Sequence, residues 1–164
     1  MLQEHSQIAS LLAKSNQHFT TADHIAYVTY PLVKDQKLIV AVLENLYLSA
    51  LTAVEALLYY ERLYKRIGMF PENFHVRLDL FKTKIAPQYN IERSHLVLLE
   101  ELRQLVNERK ASKMEFFRKD NYILCNQDYS KMKIITMEKL KTYINQLKPF
   151  MRKVNLILQN VRRQ

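Results

Sequence analysis

In four separate stretches of this chain, apolar or small residues return at alternating steps of four and three, a spacing that packed helices produce and strands do not. The first stretch is Ile8, Leu12, Ser15, Phe19, Ala22 and Ala26, and its helix is expected to stop before Pro31. The second is Ile39, Leu43, Leu46, Ala50, Ala53, Leu57, Tyr60, Tyr64 and Ile67, with Gly68 as its terminator. That predicts a helix of roughly 30 residues, about 45 Å long. Val42, Leu48, Leu51, Val54 and Leu58 make its other sides apolar as well, so it is expected to be the spine of the fold. A shorter helix is predicted over Asn73 to Ile85, closed by Pro87. Asn90 is placed to cap a fourth, whose stripe is Ile91, His95, Leu98, Leu102 and Leu105. Thr136 can cap the last, which carries Leu140, Ile144, Leu147, Met151, Val154, Leu158 and Val161, with a bend expected at Pro149.

Between the fourth and last helices the rhythm breaks. Asn121 to Cys125 and Met132 to Ile135 are short apolar runs around Asn126, Gln127, Asp128, Tyr129 and Ser130, the pattern of a small β-hairpin. The expected fold class is therefore all-α: an up-and-down bundle of four to five helices with a short β-hairpin before the last helix, in one domain over 1–164.

Composition removes several function classes. Gly68 is the only glycine, so Gly-rich phosphate loops of the P-loop or Rossmann kind are excluded. Cys125 is the only cysteine and cannot close an internal disulfide, and Met1 to Lys14 has no signal-peptide pattern, so a cytoplasmic protein is expected. Leu38 to Leu58 is long enough to cross a bilayer, but Glu44, Asn45 and Glu55 sit inside it, and no membrane span is expected. The net charge of +9 is lopsided: Met1 to Lys82 is neutral, while Arg109 to Gln164 carries fourteen basic and four acidic residues. A neutral half joined to a basic half points to one face built for an anion.

Catalytic patterns are sparse. His5, His18, His24, His75 and His95 are scattered, and Glu92 with His95 makes a single Glu-x-x-His where helical di-iron sites need two. Ser94 and His95 are sequence neighbours, which on a helix point about 100° apart. Glu100 and Glu101 are expected on a solvated face. No catalytic residue, metal site or cofactor is expected. What remains is Arg109 to Tyr122, with five cations and the aromatics Phe116, Phe117 and Tyr122 in fourteen residues. Such a stretch can neutralise phosphates and stack bases, or its aromatics can plug the end of the bundle while the lysines face water. A rival cluster, Tyr59 to Arg66, has Tyr60 and Tyr64 on its core stripe.

Two segments, NLYLSALTAVEALLYYERL at Asn45 to Leu63 and LRQLVNERKAS at Leu102 to Ser112, resemble the long second helix and the functional helix of the HEPN superfamily, and EKLKTYINQLKPFMRKV is similar to its closing helix. The resemblance implies a small helical bundle acting as an RNase, a toxin, or a partner of a nucleotidyltransferase. The family's RNases carry an Arg and, four to six residues on, a His. Arg103 stands in the first place here and Arg109 in the second, and arginine cannot act as a general base. The leading expectation is a non-catalytic module that contacts RNA or another polyanion through Arg103, Arg109, Lys110, Lys113, Phe117, Arg118, Lys119 and Tyr122. The alternatives are a bundle that binds a copy of itself as a homodimer or a helical protein partner, and an RNase in which Arg103 works with His95 or His75.

Overall fold

The most continuous apolar stretch forms the longest helix. The computed structural model describes residues 1–126, 128 and 130–162 and is 72% helical. Its elements are α1 (Leu2–His24), a π turn (Ile25–Thr29), α2 (Tyr30–Val33), α3 (Lys37–Leu63), α4 (Phe74–Leu80), a second π turn (Phe81–Ile85), α5 (Arg93–Ala111), strands β1 (Met114–Arg118), β2 (Asn121–Cys125) and β3 (Met132–Thr136), α6 (Met137–Ile157) and α7 (Gln159–Arg162). The expected β-hairpin is a three-stranded antiparallel sheet, so the chain is not purely α, and the described residues form six helices, each π turn counted in the helix it continues, where four to five are expected. Gln127 and Tyr129, expected in the β2–β3 loop, lie outside the described residues.

α3 is long and apolar enough to cross a membrane, and 44% of its most apolar window is buried against other elements. Ile39, Leu43, Leu46, Ala50, Ala53 and Leu57 are buried along it, as are Val42, Val54 and Leu58. The three polar residues inside its apolar stretch each reach another part of the chain: Glu44 pairs with Arg109, Asn45 with His18 and Glu55 with Arg77. α1 packs along it most closely where Ser15 and Ser49 meet. Each hydroxyl donates to the other residue's backbone carbonyl, at 2.7 and 2.9 Å. Two small residues let the backbones approach, and the reciprocal bonds satisfy both buried hydroxyls.

Three of the expected boundaries move, each for a local reason. The first helix does not stop before Pro31. The π turn over Ile25–Thr29 widens it just ahead of the proline, with the Tyr30 N–H reaching back to the Ile25 carbonyl, and the helix ends only at left-handed Lys34. The same device precedes Pro87: the Ala86 N–H bonds to the Phe81 carbonyl at 2.9 Å, and the turn closes at left-handed Asn90. Asn90 is therefore a helix-ending residue, and the extended residue before α5 is Glu92. α3 ends at Leu63, with Lys65 rather than Gly68 in the left-handed position. The Arg66 and Lys65 N–H groups bond to the Glu61 and Arg62 carbonyls, both at 2.9 Å, which is a Schellman closure made without glycine.

The expected cap at Thr136 forms, accepting an N–H bond at 3.1 Å from Lys139, and Asn73, where the short helix is expected to begin, caps it by accepting from His75 at 2.8 Å. α6 runs from Met137 to Ile157 with Pro149 inside it.

Candidate functional site

The extra strand is β1, drawn from the basic and aromatic stretch that had no assigned secondary structure. Met114–Arg118 pairs with Asn121–Cys125 through a two-residue turn whose first residue, Lys119, has φ 56°. The pairing fixes which side chains share a face. Phe117, Tyr122 and Ile135 stand in one row facing the bundle, with Glu115, Leu124 and Lys133 next to them. Tyr122 is 1% exposed and tilts against Phe117 at 5.0 Å between ring centroids. These two aromatics close the bundle end and are not a stacking platform.

The opposite face is also apolar. Met114, Cys125 and Met132 form one row and Phe116, Ile123 and Ile134 the next, followed by Arg118, Asn121 and Thr136. Cys125 and Ile123, on the central strand, are covered by their cross-strand neighbours, whereas Met114 (38%), Phe116 (37%), Met132 (57%) and Ile134 (48%) stand exposed. A sheet resting on a bundle ordinarily shows polar residues to water on its outer face. This one has six apolar side chains in a block, four of them exposed, with Lys113 and Lys131 at the end where β1 and β3 meet their neighbouring loops, and Arg118 and Lys119 at the other end. Among the described residues none of the nine on that face is acidic. Glu115 turns to the inner side, where it accepts from Tyr122, and Asp120 accepts from Tyr30 at 3.2 Å.

Beside the inward-facing Phe117 and Tyr122, the six cations expected to meet a polyanion separate into two groups. Arg103 donates to Glu100 in a pair joined by Lys82, at 2.9 Å from the same carboxylate. Arg109 is held by Glu44, by the Tyr122 hydroxyl at 3.2 Å and by Glu115 at 3.8 Å. Arg109 thus ties α5 to α3 and to the sheet, while Arg103 is paired within its own helix. Lys110, Lys113, Arg118 and Lys119 are exposed, and no ion pair engages them among the described residues. Glu100, expected on a solvated face, is thus a link between α5 and the second π turn.

The Arg103 bond, opposed by burial and helped by Lys82, holds the Glu100 carboxyl down at about 2. A carboxyl lowered on folding stabilises the fold above its ordinary pKa, and that stabilisation is lost as pH falls through the folded value. The Arg103→Gln variant is therefore expected to be less stable than the parent by about 1 kcal/mol at pH 7. The gap should close between about pH 4.5 and pH 2. Urea midpoints at both ends of that range check it, and an equal gap at each would refute it.

A second concavity, absent from the sequence reading, lies between α5 and α6. It encloses about 1140 Å³, with Arg93, His95 and Glu101 on the α5 wall, Lys139 and Tyr143 on the α6 wall, and Lys133 of β3 at one end. Arg103 is not among its lining residues, so Arg103 and His95 do not share this cleft. His75 is on α4 beside Asp79 at 3.6 Å. Among the described residues, no three His, Cys, Asp or Glu side chains converge as a metal ion requires. The fold and these surfaces define a class, a helical module carrying a small sheet with two apolar faces. No protein-family model, curated protein or solved structure matches the chain.

Proposed function

We propose that the chain is a non-catalytic binding module that docks an acidic protein partner on the outer face of its three-stranded sheet. The observation that carries this reading is the block of Met114, Phe116, Met132 and Ile134, exposed in the middle of a face whose one charged residue is Arg118, with Lys113, Lys131 and Lys119 beyond its ends. An apolar centre with a charged rim is the anatomy of a protein interface, and a basic rim selects an acidic partner. A second copy of the chain fits poorly, because a twofold pairing lays the same cations against each other. RNA fits the rim better than the centre, since Phe116 is the single aromatic ring on that face and base stacking needs several.

RNA stays as a second reading, favoured by Lys110, Lys113, Arg118 and Lys119 having no ion-pair partner among the described residues. The test compares a designed amphipathic peptide of leucine and glutamate with a single-stranded oligouridine, each titrated at two salt concentrations while amide shifts are followed. Peptide shifts centred on Phe116, Ile123 and Ile134, abolished by Ile134→Glu, support the proposal. Arg118→Glu with Lys119→Glu should weaken the peptide about tenfold, and the same reversal at Arg62 and Lys65 much less. Oligouridine binding that weakens steeply with salt, is lost on reversal at Arg118 and Lys119, and is untouched by Ile134→Glu would overturn it in favour of RNA. Equal effects at both reversal sites would mean that only net charge matters.

A further inference from the structure

The groove between α5 and α6 gathers charged and polar side chains in which the carboxylates are bonded within the chain and the cations are not. The two helices run antiparallel along it. The Lys153 ammonium donates to the Asn90 carbonyl at 2.6 Å, His95 lies 5.8 Å from the Phe150 ring, and Glu101 stands beside Tyr143. The carboxylates are satisfied from within the chain. Ser94 donates to Glu92 at 3.3 Å, and the buried Tyr143 hydroxyl, pushed up to about 12 by burial and by Glu101, bonds to that carboxylate.

The cations have no such match. Arg93 and Lys133 make no ion pair among the described residues, and the Lys139 ammonium rests over the Tyr143 ring at 5.8 Å without an anion. His95 lines the groove with most of its ring covered, and among the described residues no hydrogen bond engages its ring nitrogens, which reach the open side. Burial lowers its pKa, with Glu92 opposing and Lys153 assisting, so it offers one donor and one acceptor at neutral pH.

Both lysines lie towards the sheet, and His95 sits near the opposite end. Ten residues of α5 from His95 to Leu105 span about 15 Å. An occupant that satisfies both ends is elongated, anionic at one end and hydrogen-bonding at the other. Val97, Leu98 and Pro149 between them give a flat ring apolar walls. We propose that this groove binds a nucleoside polyphosphate, its phosphates against Lys133 and Lys139 and its base against His95 and Gln146. Side-chain ammonium groups replace the glycine-rich backbone cradle that the sequence excludes, so the expected affinity is modest, with Kd on the order of 10 μM to 1 mM.

Calorimetric titration with ATP, ADP, adenosine and inorganic phosphate tests this without reference to any docking partner. ATP or ADP should saturate, with adenosine and phosphate each at least about tenfold weaker. Lys133→Glu with Lys139→Glu should remove saturation while the circular dichroism is unchanged. Lys139→Gln alone, which keeps a neutral side chain in place, should weaken ADP about tenfold. Replacing His95 with Phe should weaken ADP and leave phosphate unaltered. Ile134→Glu should leave ADP binding intact, which separates this site from the sheet face. No saturation by either nucleotide up to about 10 mM, phosphate binding as tightly as ADP, or ADP affinity indifferent to the lysine reversal would each overturn the proposal.

Discussion

Arg66→Met is expected to lower the stability of the fold by about 2–3 kcal/mol, because it strands a buried carboxylate. Glu61 is 1% exposed on α3 and accepts two bonds from Arg66, at 2.7 and 2.9 Å, and a third from the Tyr89 hydroxyl. Burial alone would raise its pKa, yet Arg66 and Tyr89 hold it below the usual carboxylate range. Arg66 also covers the Tyr64 and Tyr60 rings at 4.9 and 5.5 Å, and its own N–H closes α3. One side chain thus neutralises the core carboxylate and pins the loop in which Lys65 takes a left-handed conformation without glycine. Thermal midpoints should fall by roughly 5–10 °C. Adding Glu61→Gln to the variant should recover part of the loss, since the stranded charge is then gone. The difference between parent and variant should also shrink on acidification, because the lone carboxyl takes up a proton more readily than the paired one. A midpoint within about 2 °C of the parent would show that Tyr89 and water alone suffice for Glu61.

Phe150→Ala is expected to cost more, about 3–5 kcal/mol, as for other large aromatic side chains deleted from a core. Phe150 is fully buried on α6, edge-on to Phe81 at 6.1 Å and beside His95 at 5.8 Å, so it joins the second π turn, α5 and α6. The same change removes the surface on which His95 rests. Two losses should therefore appear together: a urea midpoint lower by the amount stated, and weaker ADP binding at a temperature where the variant remains folded. Phe150→Leu refills most of the volume and should recover most of the stability. Full stability in Phe150→Ala would mean that neighbouring side chains collapse into the space.

Phe150 meets Phe81 and His95 across the chain, and Tyr89 reaches the local Glu61–Arg66 pair from 28 residues away, contacts that mark the limit of what the residue order reveals. Helix periodicity is local, and it places Ile39, Leu43, Leu46, Ala50, Ala53 and Leu57 on the buried stripe of α3, and Leu140, Ile144, Leu147 and Val154 on that of α6. Caps are equally local, so Asn73 and Thr136 are readable from their own neighbourhoods. The helix ends at Pro31, Asn90 and Gly68 are misjudged because a π turn or a left-handed lysine competes with the expected residue, and that competition is decided by packing. β1 is hidden because MEFFR has no marked alternation by itself. It becomes a strand only when NYILC is alongside, and the pairing then puts Tyr122 and Phe117 inward and Phe116 outward.

The charge count shows that the second half is basic, and nothing in it separates one cation from another. The tertiary structure does so by supplying carboxylates from distant elements, Glu44 to Arg109 across 65 residues and Glu100 to Lys82 across 18. Those cations become ties between elements, and Lys113, Arg118 and Lys119 keep their charge for water or a partner. Periodicity and capping are written along one element at a time, so the sequence by itself determined the helices and their buried stripes. The outward apolar sheet face, the buried Glu61 and the groove over His95 arise where separate elements meet, and only the packed chain decided them.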